Sequence, residues 1–126
     1  MKKIIETKNA PAPIGPYNQA ILTGNTLYTS GQIAINPSTG ELLNSSIEEE
    51  TQCVMNNLQA VLAAAEMTFD NVIKSTIFIA DMNDFSKINE IYGRFFDAAT
   101  APARETVEVA NLPKYVKVEI SVIAVK

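Results

Sequence analysis

An α+β fold, two amphipathic helices packed on one face of a mixed, mainly antiparallel sheet, is what this sequence predicts, and three observations predict it. Two segments carry apolar residues at intervals of three and four, the signature of helices with one buried stripe. A C-terminal segment alternates apolar and polar residues, the signature of a strand with one core face. The order along the chain is strands, helix, strand, helix, strands, and helices layered on a sheet satisfy that order most simply.

The elements follow in sequence. Ala10-Pro11-Ala12-Pro13-Ile14-Gly15-Pro16-Tyr17 holds three prolines, which forbid a helix and keep the segment extended or turned. Two β-rich stretches, about Asn18 to Leu22 and Thr26 to Ile33, are joined through Thr23-Gly24-Asn25, and Asn36 to Gly40 is a turn cluster. Ser46 to about Met67 reads as the first helix. Ser46 and Glu49 form a capping box, Glu48, Glu49 and Glu50 complement the positive first turn, and Val54, Leu58, Val61, Leu62 and Ala65 make the buried stripe. Val72 to Ala80 is a strand rich in β-branched residues. Asn83 or Asp84 caps a second helix to about Phe96, buried along Phe85, Ile88, Tyr92 and Phe95, with Glu90 and Arg94 as an exposed pair. Arg104 to Ala110 and Val116 to Val125 are the last strands. The outward side of the final strand turns apolar at Ile123 and Val125, which points to a partner subunit covering that sheet face.

A chain of 126 residues fits one domain, spanning 1–126, and 47% hydrophobic residues suffice for a core. The net charge of -4 and the scattered lysines argue against nucleic acid as a partner, since phosphate binding needs clustered cations. One cysteine, Cys53, forms no intramolecular disulfide, and no apolar run is long enough to span a bilayer. A cytoplasmic location is the expectation. There is no histidine, so there is no Ser-His-Asp triad and no histidine-ligated zinc. Neither Gly-x-Gly-x-x-Gly nor a Walker loop occurs, and no metal or cofactor is expected. Chemistry therefore falls to carboxylates, arginine, tyrosine, hydroxyls, backbone groups and water.

Within that inventory Arg104 and Glu119 stand out. Arg104 enters a strand just after Ala101-Pro102-Ala103, and a guanidinium can hold a carboxylate through two parallel hydrogen bonds. Taken alone, it is as well explained as a solvated arginine paired with Glu105. Glu119 interrupts an apolar strand. It is either a carboxylate on the solvent side or one held near Arg104 across neighbouring strands, where it can orient a water. There the arginine lowers its pKa while desolvation raises it. Tyr17 can donate to a ligand oxygen, Ser30-Gly31 permits close approach of backbone to ligand, and Asn89 lies on the polar side of the second helix. Each has an ordinary alternative: a half-buried tyrosine, a β-bulge, a solvent-facing amide. Cys53 reads as a small residue on a helix flank, with no base near it in sequence.

Taken in order, Gly15-Pro16-Tyr17-Asn18-Gln19-Ala20, Tyr28-Thr29-Ser30-Gly31-Gln32-Ile33, Pro102-Ala103-Arg104 and Val116-Lys117-Val118-Glu119-Ile120 resemble the RidA/YjgF family over essentially the whole chain. The resemblance implies a chorismate-mutase-like fold, a homotrimer, and ligand sites in the clefts between subunits. It implies hydrolytic deamination of 2-iminopropanoate and 2-iminobutanoate to 2-keto acids and ammonia, without a cofactor. Arg104 then binds the substrate carboxylate and Glu119 positions the attacking water. Tyr17, Ser30, Gly31 and Asn89 line the pocket, and backbone groups near Gly31 and Thr106 hold the imine nitrogen. The sequence departs from the family at Glu105, where a small or apolar residue is usual, at Thr106, where many relatives carry cysteine, and in a short connection from Asp97 to Ala101. These departures bear on substrate range. A second class of reading is a non-catalytic regulatory module that binds 2-keto acids or related metabolites. A ribonuclease reading is disfavoured by the acidic charge and the missing histidine.

Overall fold

In the computed structural model, which describes residues 1–126, the sheet starts from a hairpin. Ala20–Thr23 (β2) and Thr26–Thr29 (β3) pair antiparallel across Gly24 and Asn25. Gly24 has φ 59°, the left-handed region that a two-residue turn demands and that glycine enters without a Cβ clash. A strand the sequence did not announce, Lys2–Ile5 (β1), adds to β2. Val72–Ile79 (β4), Ala103–Glu108 (β5) and Val118–Val125 (β6) complete a six-stranded sheet of order β1-β2-β3-β6-β4-β5. Only β4 and β5 run parallel, so the sheet is mixed but mainly antiparallel, as expected.

The helices are Ile47–Ala64 (α1) and Phe85–Gly93 (α2), the latter forming the crossover between the parallel strands. Both end earlier than the apolar spacing suggests. Met67 and Phe95 remain packed on the core from beyond the helix ends, and Phe69 meets the Phe95 and Phe96 rings at 5.2 and 5.3 Å between centroids. Ser46 caps α1 by accepting from the Glu49 amide at 3.0 Å. The reciprocal half of the expected box is absent, because the Glu49 carboxylate takes the Ser45 hydroxyl instead. Asp84 stands at the start of α2 without a side-chain cap; Asp81, one turn earlier, caps the 3-10 turn that leads in.

Both helices cover one face of the sheet. Val54, Leu58 and Leu62 of α1 and Ile88 of α2 share a core with Leu27, Ile77, Ile79 and Ile120, all but fully buried. The alternation of β6 is as read: Val118, Ile120, Val122 and Ala124 face the helices, and Glu119, Ser121, Ile123 and Val125 face the other way. That open face carries Ile4, Tyr28 and Val107, each more than 40% exposed, beside Phe78 and Ile123.

One departure shapes the site. β3 stops at Thr29, not Ile33, and the chain swings away from β6 at Ser30 and Gly31. Buried backbone donors need acceptors, so the exposed edge of β6 is satisfied by substitutes. The Val122 amide donates to Thr29 Oγ1 at 2.9 Å, and Gln32 and Ile120 exchange amide-to-carbonyl bonds at 2.8 and 3.1 Å. The Lys117 and Val118 amides donate to Glu50 Oε2 of α1, at 2.7 and 3.0 Å. Glu50, read above as one of three first-turn glutamates at the positive helix end, is thus fully buried and spent on β6.

Candidate functional site

The residues singled out from sequence gather into two groups, one on each face of the sheet. The first group surrounds the gap between β3 and β6. Glu119 reaches out of the open face and lies over Gly31; a Cβ built on Gly31 would stand 2.6 Å from Glu119 Oε2. The absence of a side chain at 31 is therefore what admits the carboxylate. Tyr17, Ser30 and Glu119 line a cavity of about 380 Å³, closed on other sides by Ile14, Ile33 and Pro113. Gln19 anchors the proline-rich segment that carries Tyr17. Its side-chain amide accepts from the Thr7 amide at 2.7 Å and donates to the carbonyls of Thr7, Ala10 and Pro11. Burial pushes the Glu119 carboxyl above the ordinary carboxylate value, and no cation within the chain opposes it.

The second group lies on the helix face at the edge strand β5. Ser75 pairs with Arg104 and Ile77 with Thr106, so Arg104 and Thr106 point toward α2. The Arg104 guanidinium carbon sits 5.6 Å from the Phe85 ring centroid and 5.1 Å from that of Tyr92, within cation–π range of both. One guanidinium N–H donates to Asn89 Oδ1 at 2.6 Å, the side chain's one hydrogen bond in the chain. The remaining N–H donors have no protein acceptor. Beside them the Thr106 hydroxyl is buried and also lacks a partner, which is costly unless something else supplies one. Tyr92 is itself fixed, its hydroxyl donating to Ser75 Oγ at 2.8 Å. Burial raises the Tyr92 pKa, with the Ser75 hydrogen bond and the Arg104 charge partly opposing.

Two readings of the sequence are corrected here. Glu105 does not pair with Arg104. It faces the open side and binds Lys74 at 3.0 Å, as period-two alternation demands. Arg104 and Glu119 are not on neighbouring strands either: β4 stands between them. Ser75 faces Arg104 while Phe78, three residues on, faces Glu119, and an odd separation along a strand puts the two on opposite faces. A single chain therefore brings Arg104, Asn89 and Thr106 together, and Tyr17, Ser30, Gly31 and Glu119 together, but not the two groups.

Phe85 and Tyr92, which hold Arg104, and Glu50, which holds the edge of β6, stand outside the candidates the sequence offers. For the first two the apolar stripe of α2 signals burial only. For Glu50 a signal existed, since it lies three residues after Ile47 and four before Val54, on the buried stripe of α1. Cys53 is buried, and desolvation raises its thiol pKa, against a nucleophilic role.

The family model described as "Endoribonuclease L-PSP" matches residues 7–126. The chain is 48% identical, over 100% of its length and 98% of the relative's, to the Escherichia coli protein named "Putative reactive intermediate deaminase TdcF". It is 52% identical, over 97% of its length and 96% of the relative's, to the Lactococcus lactis protein named "Putative regulator AldR". Among solved structures it superposes on Yersinia pestis YyfA, a Rid-family protein of unknown function, with a TM-score of 0.96 at 52% identity, covering 100% of both chains. It superposes on E. coli TdcF with bound serine with a TM-score of 0.92 at 46% identity, covering 98% of both chains. Matches of this extent, joined to the motif order and the shared fold, place this chain in the RidA/YjgF family, also described as L-PSP.

Proposed function

We propose that this protein hydrolyses small 2-imino acids, such as 2-iminopropanoate and 2-iminobutanoate, to 2-keto acids and ammonia, at a site assembled from two copies of the chain in a homotrimer. The observation that carries this reading is Arg104, a guanidinium clamped by Asn89, Phe85 and Tyr92 with N–H donors to spare beside an unpartnered buried hydroxyl. Such a site fits a planar carboxylate with a polar group on the adjacent carbon. Serine, bound in the TdcF structure, has that shape, and so does a 2-imino acid.

In this reading Arg104 neutralises the carboxylate and fixes the imine carbon, while Thr106 meets a polar atom next to it. Glu119 from a neighbouring copy accepts a proton from water as the water oxygen bonds to the imine carbon. The imine nitrogen takes that proton to give a carbinolamine. The carbinolamine hydroxyl then gives up its proton, a proton reaches the nitrogen, and as the C=O bond forms the C–N bond breaks, releasing ammonia and the keto acid. A carboxyl whose pKa is raised by burial is a stronger base once ionised, which suits this task. Such imines hydrolyse readily in water, so a hundredfold acceleration needs only about 2.7 kcal/mol of extra transition-state stabilisation.

A threonine dehydratase supplying 2-iminobutanoate provides the test. Addition of wild-type protein speeds ketobutyrate release, and folded Arg104→Ala loses that acceleration entirely. Equal release with the mutant would contradict the role of Arg104. The name of the Lactococcus relative, a regulator, favours a second reading, a non-catalytic regulatory module. In that reading the same pocket would bind a 2-keto acid or a related metabolite. Tight keto-acid binding without faster imine hydrolysis is its mark. The acidic balance and absent histidine weigh against RNA cleavage.

A further inference from the structure

Glu50 is a carboxyl buried where the apolar stripe of α1 calls for a hydrophobic side chain. Burying it is costly, and nothing in the core alone requires it. Its placement has a local cause. Where β3 leaves β6 the edge of β6 loses its strand partner, and Glu50 Oε2 accepts the two amides that would be stranded, those of Lys117 and Val118. These are the two residues immediately before Glu119. On the next stretch of the same edge, the Gln32 bridge to Ile120 holds the residue immediately after it. On this edge Glu119 thus lies between two fixed points, with the gap over Gly31 between them, while β4 pairs with it on the other side through Phe78.

We propose that Glu50 is a positioning residue for Glu119, replacing the missing strand partner of β6 so that the Glu119 carboxyl is presented over Gly31. The inference rests on the role given to Glu119 above. The second Glu50 oxygen, Oε1, is buried without a partner. Burial raises the Glu50 pKa, an effect that exceeds the opposing Lys117 and Val118 hydrogen bonds and the Lys117 charge, while Asp84 adds to it. Both amides go to the one oxygen Oε2, so what the position supplies to β6 is an acceptor oxygen, and the oxygen of a glutamine side chain can accept the same two bonds.

The variants Glu50→Ala and Glu50→Gln separate positioning from mere packing. In the dehydratase-coupled assay Glu50→Ala lowers kcat roughly tenfold with KM unchanged, because the Arg104 group that holds the carboxylate is untouched. Glu50→Gln, whose side-chain oxygen accepts the same two amides, keeps kcat within about twofold of wild type. Carbon-13 NMR of the Glu119 carboxyl gives a second readout: its titration midpoint falls toward the ordinary value in Glu50→Ala and stays put in Glu50→Gln. A folded Glu50→Ala with unchanged kcat and midpoint overturns the proposal, and so does a Glu50→Gln as impaired as Glu50→Ala. If the wild-type protein does not speed imine hydrolysis, the functional reading falls while the NMR comparison still decides the role of Glu50. Should Glu50→Ala not fold, Glu50→Asp, too short to reach both amides, takes its place under the same criteria.

Discussion

At the scale of single residues, the site depends on side chains kept in costly states and on one side chain left out. Thr106 keeps a buried hydroxyl unpartnered, and Glu119 keeps a half-buried carboxyl whose pKa burial raises. Both costs make sense if a ligand or water completes the shell. Gly31 is the omission. Its φ is not in the left-handed region, so alanine there strains no backbone, yet its Cβ would collide with the Glu119 carboxylate. Gly31→Ala is therefore expected to leave the melting temperature within a few degrees of wild type while lowering imine hydrolysis roughly ten- to a hundredfold by displacing Glu119. Comparing thermal unfolding and the coupled assay on one preparation checks it; full activity would show that Glu119 does not act from this position. Gly31 was legible from sequence as a place of close approach, but what approaches it was not, because Glu119 lies nearly ninety residues away in the chain.

At the scale of elements, what could be read was whatever buries one face at a regular period. β6 and the stripes of α1 and α2 announced themselves in this way. β1 did not, since Lys2-Lys3-Ile4-Ile5 is too short to show alternation and its partner β2 is distant in sequence. The end of β3 runs past Thr29 in the sequence reading because the chain, after breaking the ladder at Ser30 and Gly31, touches β6 once more at Gln32 opposite Ile120, so the residues up to Ile33 keep a strand-like character. Helix ends were overrun for a related reason. Phe95 belongs to the core whether or not it is helical, and α1 closes on Glu66, where glycine is the usual signal. Glu66 has φ 59°, and the Met67 amide donates back to the Leu62 carbonyl at 2.9 Å, closing the helix in a Schellman-like turn. The Glu66 contact to Lys126 is exposed and long, at 3.8 Å, and contributes little. Glu66→Gly should stabilise the protein by about 0.5–1 kcal/mol by relieving the left-handed strain. Chemical denaturation measures this directly, and a lower midpoint would contradict it.

At the scale of the whole molecule, the sheet explains why one chain keeps the Arg104 and Glu119 groups apart. The parity of β4 sends Arg104 to the helix face and Glu119 to the open face, and no rotamer carries either across. Sequence alternation showed that Glu119 faces away from the core, but the side taken by Arg104 depends on how β5 registers against β4, which a sequence does not display. The open face, with Tyr28 and Val107 exposed beside Glu119, is the surface on which a second copy would bring the other half-site into reach. No helix of the chain is long and apolar enough to cross a membrane.

A site shared between copies is tested most directly by mixing two inactive variants, Arg104→Ala and Glu119→Gln, through co-expression or joint refolding. If the proposed trimer forms, a copy that keeps Arg104 would sit beside a copy that keeps Glu119, and random assembly of the two variants in equal amounts would make roughly a quarter of the sites whole. Imine hydrolysis should therefore return to about a quarter of the wild-type rate. Activity that stays at the level of the separate variants, in samples shown to contain both chains in one assembly, would mean that the two residues do not meet across an interface.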